Sequence, residues 1–122
     1  MISPDAKTWT RLIFKFKVAV AGLIDGLLHD FSIQIQFVSG AIALIVASVL
    51  KFSSIEWCIW LLCIGLVITL EYINSSLETI LDRMDPSFHI LTKKAKDLGS
   101  AAVLISAVTS LIIGIIIILN HL

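Results

Sequence analysis

The sequence predicts an all-α membrane protein: three transmembrane helices preceded by an N-terminal amphipathic helix on the membrane surface. Two observations carry this. Of 122 residues, 58% are hydrophobic and 15% charged, whereas soluble domains run at about half apolar and a quarter charged. The apolar residues also gather into three runs long enough to span a bilayer, at about 33–50, 55–74 and 98–119. With no repeat, low-complexity stretch or linker, residues 1–122 read as one unit.

From about residue 8 to 28, Leu12, Phe16, Val20, Leu23 and Leu27 recur at three- and four-residue steps, with Arg11, Lys15 and Asp25 elsewhere on the helix. That spacing predicts a helix lying in the interface, its basic end favoured by anionic headgroups. A secretory signal is not expected, since no basic start leads into a short apolar core and a small-residue cleavage site. The first span offers only about fourteen uncharged, mostly apolar residues after Gln36, so Gln34 and Gln36 must lie in the interface or face protein. Cys58 and Cys63 point in different directions on the second span and cannot bridge within it. The third span is the clearest.

Lys7, Arg11, Lys15 and Lys17 precede the first span, and Arg83, Lys93, Lys94 and Lys96 lie between the second and third, leaving only Lys51 in the other loop. The bias of basic residues toward the inside of a membrane puts the N-terminus and the 82–97 loop in the cytoplasm. Trp57 and Trp60 suit an outer aromatic belt, and helix packing explains them almost equally well.

Glu71 directly follows a largely apolar run, and Asn74, Glu78 and Asp82 follow it at helical spacing. At about 100° per residue the four share one face, and eleven residues climb roughly 16 Å, from membrane depth into water. One reading is an ordinary solvated face. Against it, Ile73, Leu77, Ile80 and Leu81 keep the opposite side apolar, and acids crowded on one stripe repel each other unless a cation intervenes. Hard oxygen ligands of this kind suit magnesium, which takes one or two carboxylates, several waters and phosphate oxygens.

The loop after Arg83 supplies complementary groups: Pro86 to end the preceding helix, then His89, Lys93, Lys94, Lys96 and Asp97, with Gly99 to Ala102 small enough for another helix to approach closely. Acids for a metal, a lysine for phosphate charge and a carboxylate at membrane depth to accept a hydroxyl proton are the requirements of phosphoryl transfer to a lipid. Periodicity alone leaves two alternatives open, a proton- or ion-conducting oligomer using Glu71 and a noncatalytic membrane scaffold.

The run from Glu71 to Asp82, Glu-Tyr-Ile-Asn-Ser-Ser-Leu-Glu-Thr-Ile-Leu-Asp, resembles the signature of the prokaryotic diacylglycerol kinase family, small integral-membrane lipid kinases that include undecaprenol kinases. The similarity continues through His89 and Ala95 to Val103, and Arg11, Gly22 and Asp30 fall at compatible spacing. The resemblance implies a homotrimer in the bacterial cytoplasmic membrane, with sites shared between subunits. It also implies transfer of the ATP γ-phosphate to a membrane lipid alcohol, undecaprenol or diacylglycerol; no nucleic-acid partner is expected. It makes Glu71 the general base, Asp30 and Glu78 the magnesium ligands, and Asn74 a hydrogen-bonding group. Lys96 would contact ATP phosphates with Asp97 steering it, Ser87, Phe88 and His89 would line the nucleotide, and Arg11 would lie near ATP and lipid. Asp30 departs from the glutamate common in the family. Gln36 stands where diacylglycerol kinases of Gram-negative bacteria carry glutamate, which tilts the expected substrate toward undecaprenol.

Overall fold

A computed structural model describes residues 4, 7–84 and 89–122 and, among these, consists of four α-helices. They are α1 (Thr8–His29), α2 (Phe31–Val49), α3 (Ser54–Met84) and α4 (Ile90–His121). The last three are long and apolar enough to cross a membrane, and they coincide with the expected spans, α2 stopping at Val49, one residue short of the expected end. The chain is a membrane protein.

Its corners follow from local chemistry. Asp30 alone separates α1 from α2: its backbone is extended (φ −110°, ψ 111°) and its carboxylate accepts the Ile33 N–H at 3.1 Å, capping α2. Gln34 donates to the Leu27 carbonyl at 3.0 Å, satisfying the end of α1. Gln34 therefore faces protein, and Gln36 is half-buried between helices.

At the other end of α2, the N–H groups of Lys51 and Phe52 donate to Ser48 and Ala47 at 3.3 and 3.1 Å, a Schellman closure. Lys51 occupies its left-handed position with φ 55°. Ser53 and Glu56 then start α3 with a reciprocal capping box, Ser53 N–H to Glu56 Oε1 at 2.8 Å and Glu56 N–H to Ser53 Oγ at 3.3 Å. Glu56 also meets His121 Nε2 at 2.9 Å, joining the start of α3 to the end of α4.

The core sits at this end, where Ala47, Phe52, Trp60 and Ile117 are buried together. Trp60 donates its indole N–H to the Ala43 carbonyl at 2.8 Å, and Phe52 packs edge-on to both Trp60 and Trp57. Packing therefore accounts for both tryptophans. Cys58 and Cys63 are free thiols.

Helices α3 and α4 have 31 and 32 residues, about 46 and 48 Å at 1.5 Å per residue. A bilayer core is about 30 Å thick, so each has roughly 15 Å to spare. That surplus lies at the end opposite the core, where the polar stripe runs.

Candidate active site

All four residues of the stripe stand on α3. Glu71 and Asn74 are buried, at 6% and 7% exposure, Glu78 is half-buried and Asp82 is exposed. The gradient runs from protein interior to surface along the helix, as the spacing predicts. Asn74 Nδ2 donates to Glu78 Oε1 at 3.2 Å, one turn further on.

Two other helices complete the surroundings. Asp30 and Ser32, from the start of α2, act on the Glu71 carboxyl together with Glu78. From α4, Lys96 donates to Asp82 and also feels the Glu78 charge. Gly99, one turn beyond Lys96, lies against Asn74, and a Cβ there would collide with Asn74 Oδ1. The small residue lets α4 approach α3 closely at the site.

Tyr72 ties the remaining helix on. Its hydroxyl donates to the Leu23 carbonyl of α1 at 2.7 Å, and its ring lies so near Gly26 that a Cβ there would be 2.5 Å from Cε1. Gly26 is the only buried residue among the described residues of α1. This contact holds the α1–α2 corner, and with it Asp30, beside Glu71.

Several expected groups have other tasks or positions in the isolated chain. Asp97 pairs with Lys93 at 2.6 Å, while Lys96 pairs with Asp82. His89 caps α4, its Nδ1 accepting the Leu91 N–H at 3.1 Å. Arg11 is exposed on α1, fifteen residues before Gly26 and so about 22 Å along the helix from the Tyr72 contact. Pro86, Ser87 and Phe88 lie outside the described residues. Sequence reasoning did not single out Ser32, Tyr72 or Gly26, because a lone serine, tyrosine or glycine at a helix junction carries no spacing signal.

Among the described residues no three His, Cys, Asp or Glu side chains converge as a metal cage. Magnesium does not require one, since it completes its shell with water and phosphate. Glu78 and Asp30 are hard-oxygen groups whose charges both act on Glu71, and Asn74 Oδ1 is buried without a hydrogen-bond partner. This donor set fits a hydrated hard cation.

Fold and site together define an integral-membrane protein that gathers carboxylates and a lysine where long helices emerge from their apolar stretch. Residues 17–118 match the prokaryotic diacylglycerol kinase family, and the chain belongs to it. It is a lipid kinase, and that activity implies ATP as co-substrate. A diacylglycerol kinase of Escherichia coli is 29% identical over 113 residues, covering 93% of both chains. An undecaprenol kinase of Bacillus subtilis is 33% identical over 123 residues, covering 100% of both. A diacylglycerol kinase of Helicobacter pylori is 32% identical over 107 residues, 88% of this chain and 84% of its own.

Proposed function

We propose that the protein phosphorylates a membrane lipid alcohol with ATP and magnesium at the cytoplasmic face of the bacterial cytoplasmic membrane, and that undecaprenol is preferred to diacylglycerol. One observation carries the mechanism: Glu71 is buried where α3 passes from apolar to polar, with Glu78 two turns further along the same face. A hydroxyl on a lipid reaches that depth from the bilayer, and a soluble nucleotide meets the projecting ends of α3 and α4 from water.

Glu71 accepts the hydroxyl proton, and Ser32 orients its carboxyl. Glu78 and Asp30 would hold magnesium, which neutralises charge on the transferring phosphate. Asn74 holds Glu78 in place through its amide. Lys96 exchanges Asp82 for a phosphate oxygen when the nucleotide binds, an ion pair at an exposed site being weak enough to give way. An ion-conducting role for Glu71 would leave the acids and lysine beyond it without a task.

The substrate preference rests on Gln36, which puts a neutral amide between the helices, and on the full-length similarity to an undecaprenol kinase. The active form is a homotrimer with α1 on the membrane surface. Arg11 then belongs to a neighbouring subunit's site, since its own lies about 22 Å away along α1. Undecaprenol and dioleoylglycerol presented side by side at equal surface concentration test the preference. A higher kcat/KM for undecaprenol supports it, and a higher value for dioleoylglycerol reverses it.

A further inference from the structure

The backbone of Asp30 is tied to Gly26, one turn earlier on α1, whose carbonyl accepts the Asp30 N–H at 3.0 Å. The Asp30 carboxylate in turn caps α2 at the Ile33 N–H. Helix α1 makes no extensive contact with α3 or α4, and its one buried residue among those described is this same glycine. Asp30 therefore moves with Gly26.

Gly26 is fixed by Tyr72, the residue after Glu71. The Tyr72 hydroxyl donates to the Leu23 carbonyl at 2.7 Å, and its ring stands edge-on to Phe37 of α2 at 6.4 Å between ring centres. A Cβ at Gly26 would lie 2.5 Å from Tyr72 Cε1 and 2.9 Å from Ile33 Cδ1. Neither neighbour yields freely, since the ring is held at its hydroxyl and flanked by Phe37, and Ile33 is 2% exposed. Close packing of this kind passes a displacement on rather than absorbing it.

We propose that Tyr72 is a positioning residue for phosphoryl transfer: seated on Gly26 and tied to the Leu23 carbonyl, it fixes where Asp30 stands relative to Glu71 and so sets how well the site holds magnesium. The inference rests on the proposed role of Asp30 as a ligand and adds what places it. Glu71 and Tyr72 are neighbours in the chain, so the turn of α3 that carries the proposed base also registers the corner that carries the proposed ligand. A displacement of about 1 Å can cost about a hundredfold in rate, and magnesium demands near-ideal octahedral geometry. A tyrosine that only packed would change stability and leave the metal alone.

The test uses full-length protein in mixed micelles carrying Gly26→Ala, Tyr72→Leu, or both. Alanine favours the helix itself, so Gly26→Ala acts by lifting α1 off the ring, and it should raise the magnesium concentration for half-maximal lipid phosphorylation about tenfold. The double variant should recover most of that loss, because leucine vacates the space the new methyl needs. Tyr72→Phe keeps the ring and drops the bond to Leu23. It should raise the magnesium requirement about threefold, and as the milder change it decides the matter if Gly26→Ala does not assemble. A second readout needs no turnover. Manganese bound in the presence of a non-hydrolysable ATP analogue, with the free ion counted by electron paramagnetic resonance, should weaken in the same order and recover in the double variant. In an Asp30→Asn background none of these substitutions should weaken it further, since the tyrosine acts through Asp30.

Unchanged magnesium dependence and manganese affinity in Gly26→Ala and Tyr72→Phe, with lowered melting points, would reduce Tyr72 to packing and overturn the proposal. So would a folded double variant without recovery, or a loss in the Asp30→Asn background as large as in the wild type. Asp30→Asn with wild-type manganese affinity would sink the ligand role of Asp30 and the positioning role with it. Wild-type affinity in Gly26→Ala beside a loss in Asp30→Asn would sink the positioning role alone.

Discussion

The Asn74 carboxamide lies directly against Gly99, and its Oδ1 is the one buried side-chain polar atom without a hydrogen-bond partner among the described residues. An unpaired buried acceptor costs about 1–3 kcal/mol. Here the glycine of α4 seals one side of the amide while its nitrogen is committed to Glu78, so no described residue pairs with the oxygen.

Gly99→Ala should therefore destabilise the protein and lower its activity. Helix propensity alone favours alanine by about 1 kcal/mol, but overpacking the α3–α4 contact costs about 1–3 kcal/mol. Gly65→Ala, with nothing within 4 Å of the added Cβ, is the control and should be neutral or stabilising. Thermal unfolding followed by circular dichroism in micelles separates the two; equal midpoints would show that α4 has room to move at Gly99.

Asp30 caps α2 and faces Glu71 at once, and two substitutions divide these tasks. Asp30→Asn keeps a good cap and loses the charge, so the melting point should hold while activity at low magnesium collapses. Asp30→Glu keeps the charge but loses a cap worth about 1 kcal/mol, so stability should drop while magnesium-dependent activity survives. If Asp30→Asn retains full activity at low magnesium, Asp30 is a cap and no more.

Lys51 closes the α2–α3 turn from the left-handed region, which costs a side-chain-bearing residue about 1–2 kcal/mol. Lys51→Gly should raise stability by about 1 kcal/mol without altering kinase activity. A lowered midpoint in the same unfolding assay would mean that the lysine contributes more than its backbone angle takes away.

The helices and the acid stripe were legible because periodicity reports them directly: Glu71, Asn74, Glu78 and Asp82 do share a face, and Gly99 does let α4 come close to α3. Partner choice among charges was not legible. Lys93, Lys94 and Lys96 are chemically alike, and only their phase on α4 decides that Lys96 reaches Asp82 while Lys93 takes Asp97. The Tyr72–Gly26 contact was hidden for a related reason, since it joins residues 46 positions apart and depends on the angle at Asp30.

Mixed assemblies test which groups come from one chain. Glu71, Glu78 and Lys96 are gathered within a single chain, whereas Arg11 stands about 22 Å from its own site along α1. Combining Glu71→Gln subunits with Arg11→Ala subunits should restore measurable lipid phosphorylation, and combining Glu71→Gln with Lys96→Ala should not. Recovery only in the second mixture, with crosslinking proof of mixing in both, would reverse the assignment.

The role proposed for Glu71 is to take the proton from the lipid hydroxyl. Glu71→Gln keeps the shape of the side chain and removes its basicity, so transfer from magnesium-ATP to lipid, measured beside nucleotide affinity on the same assembled sample, tests it most directly. Turnover should fall about 10²–10⁴-fold with nucleotide affinity essentially unchanged. Turnover close to wild type in a correctly assembled variant would contradict it.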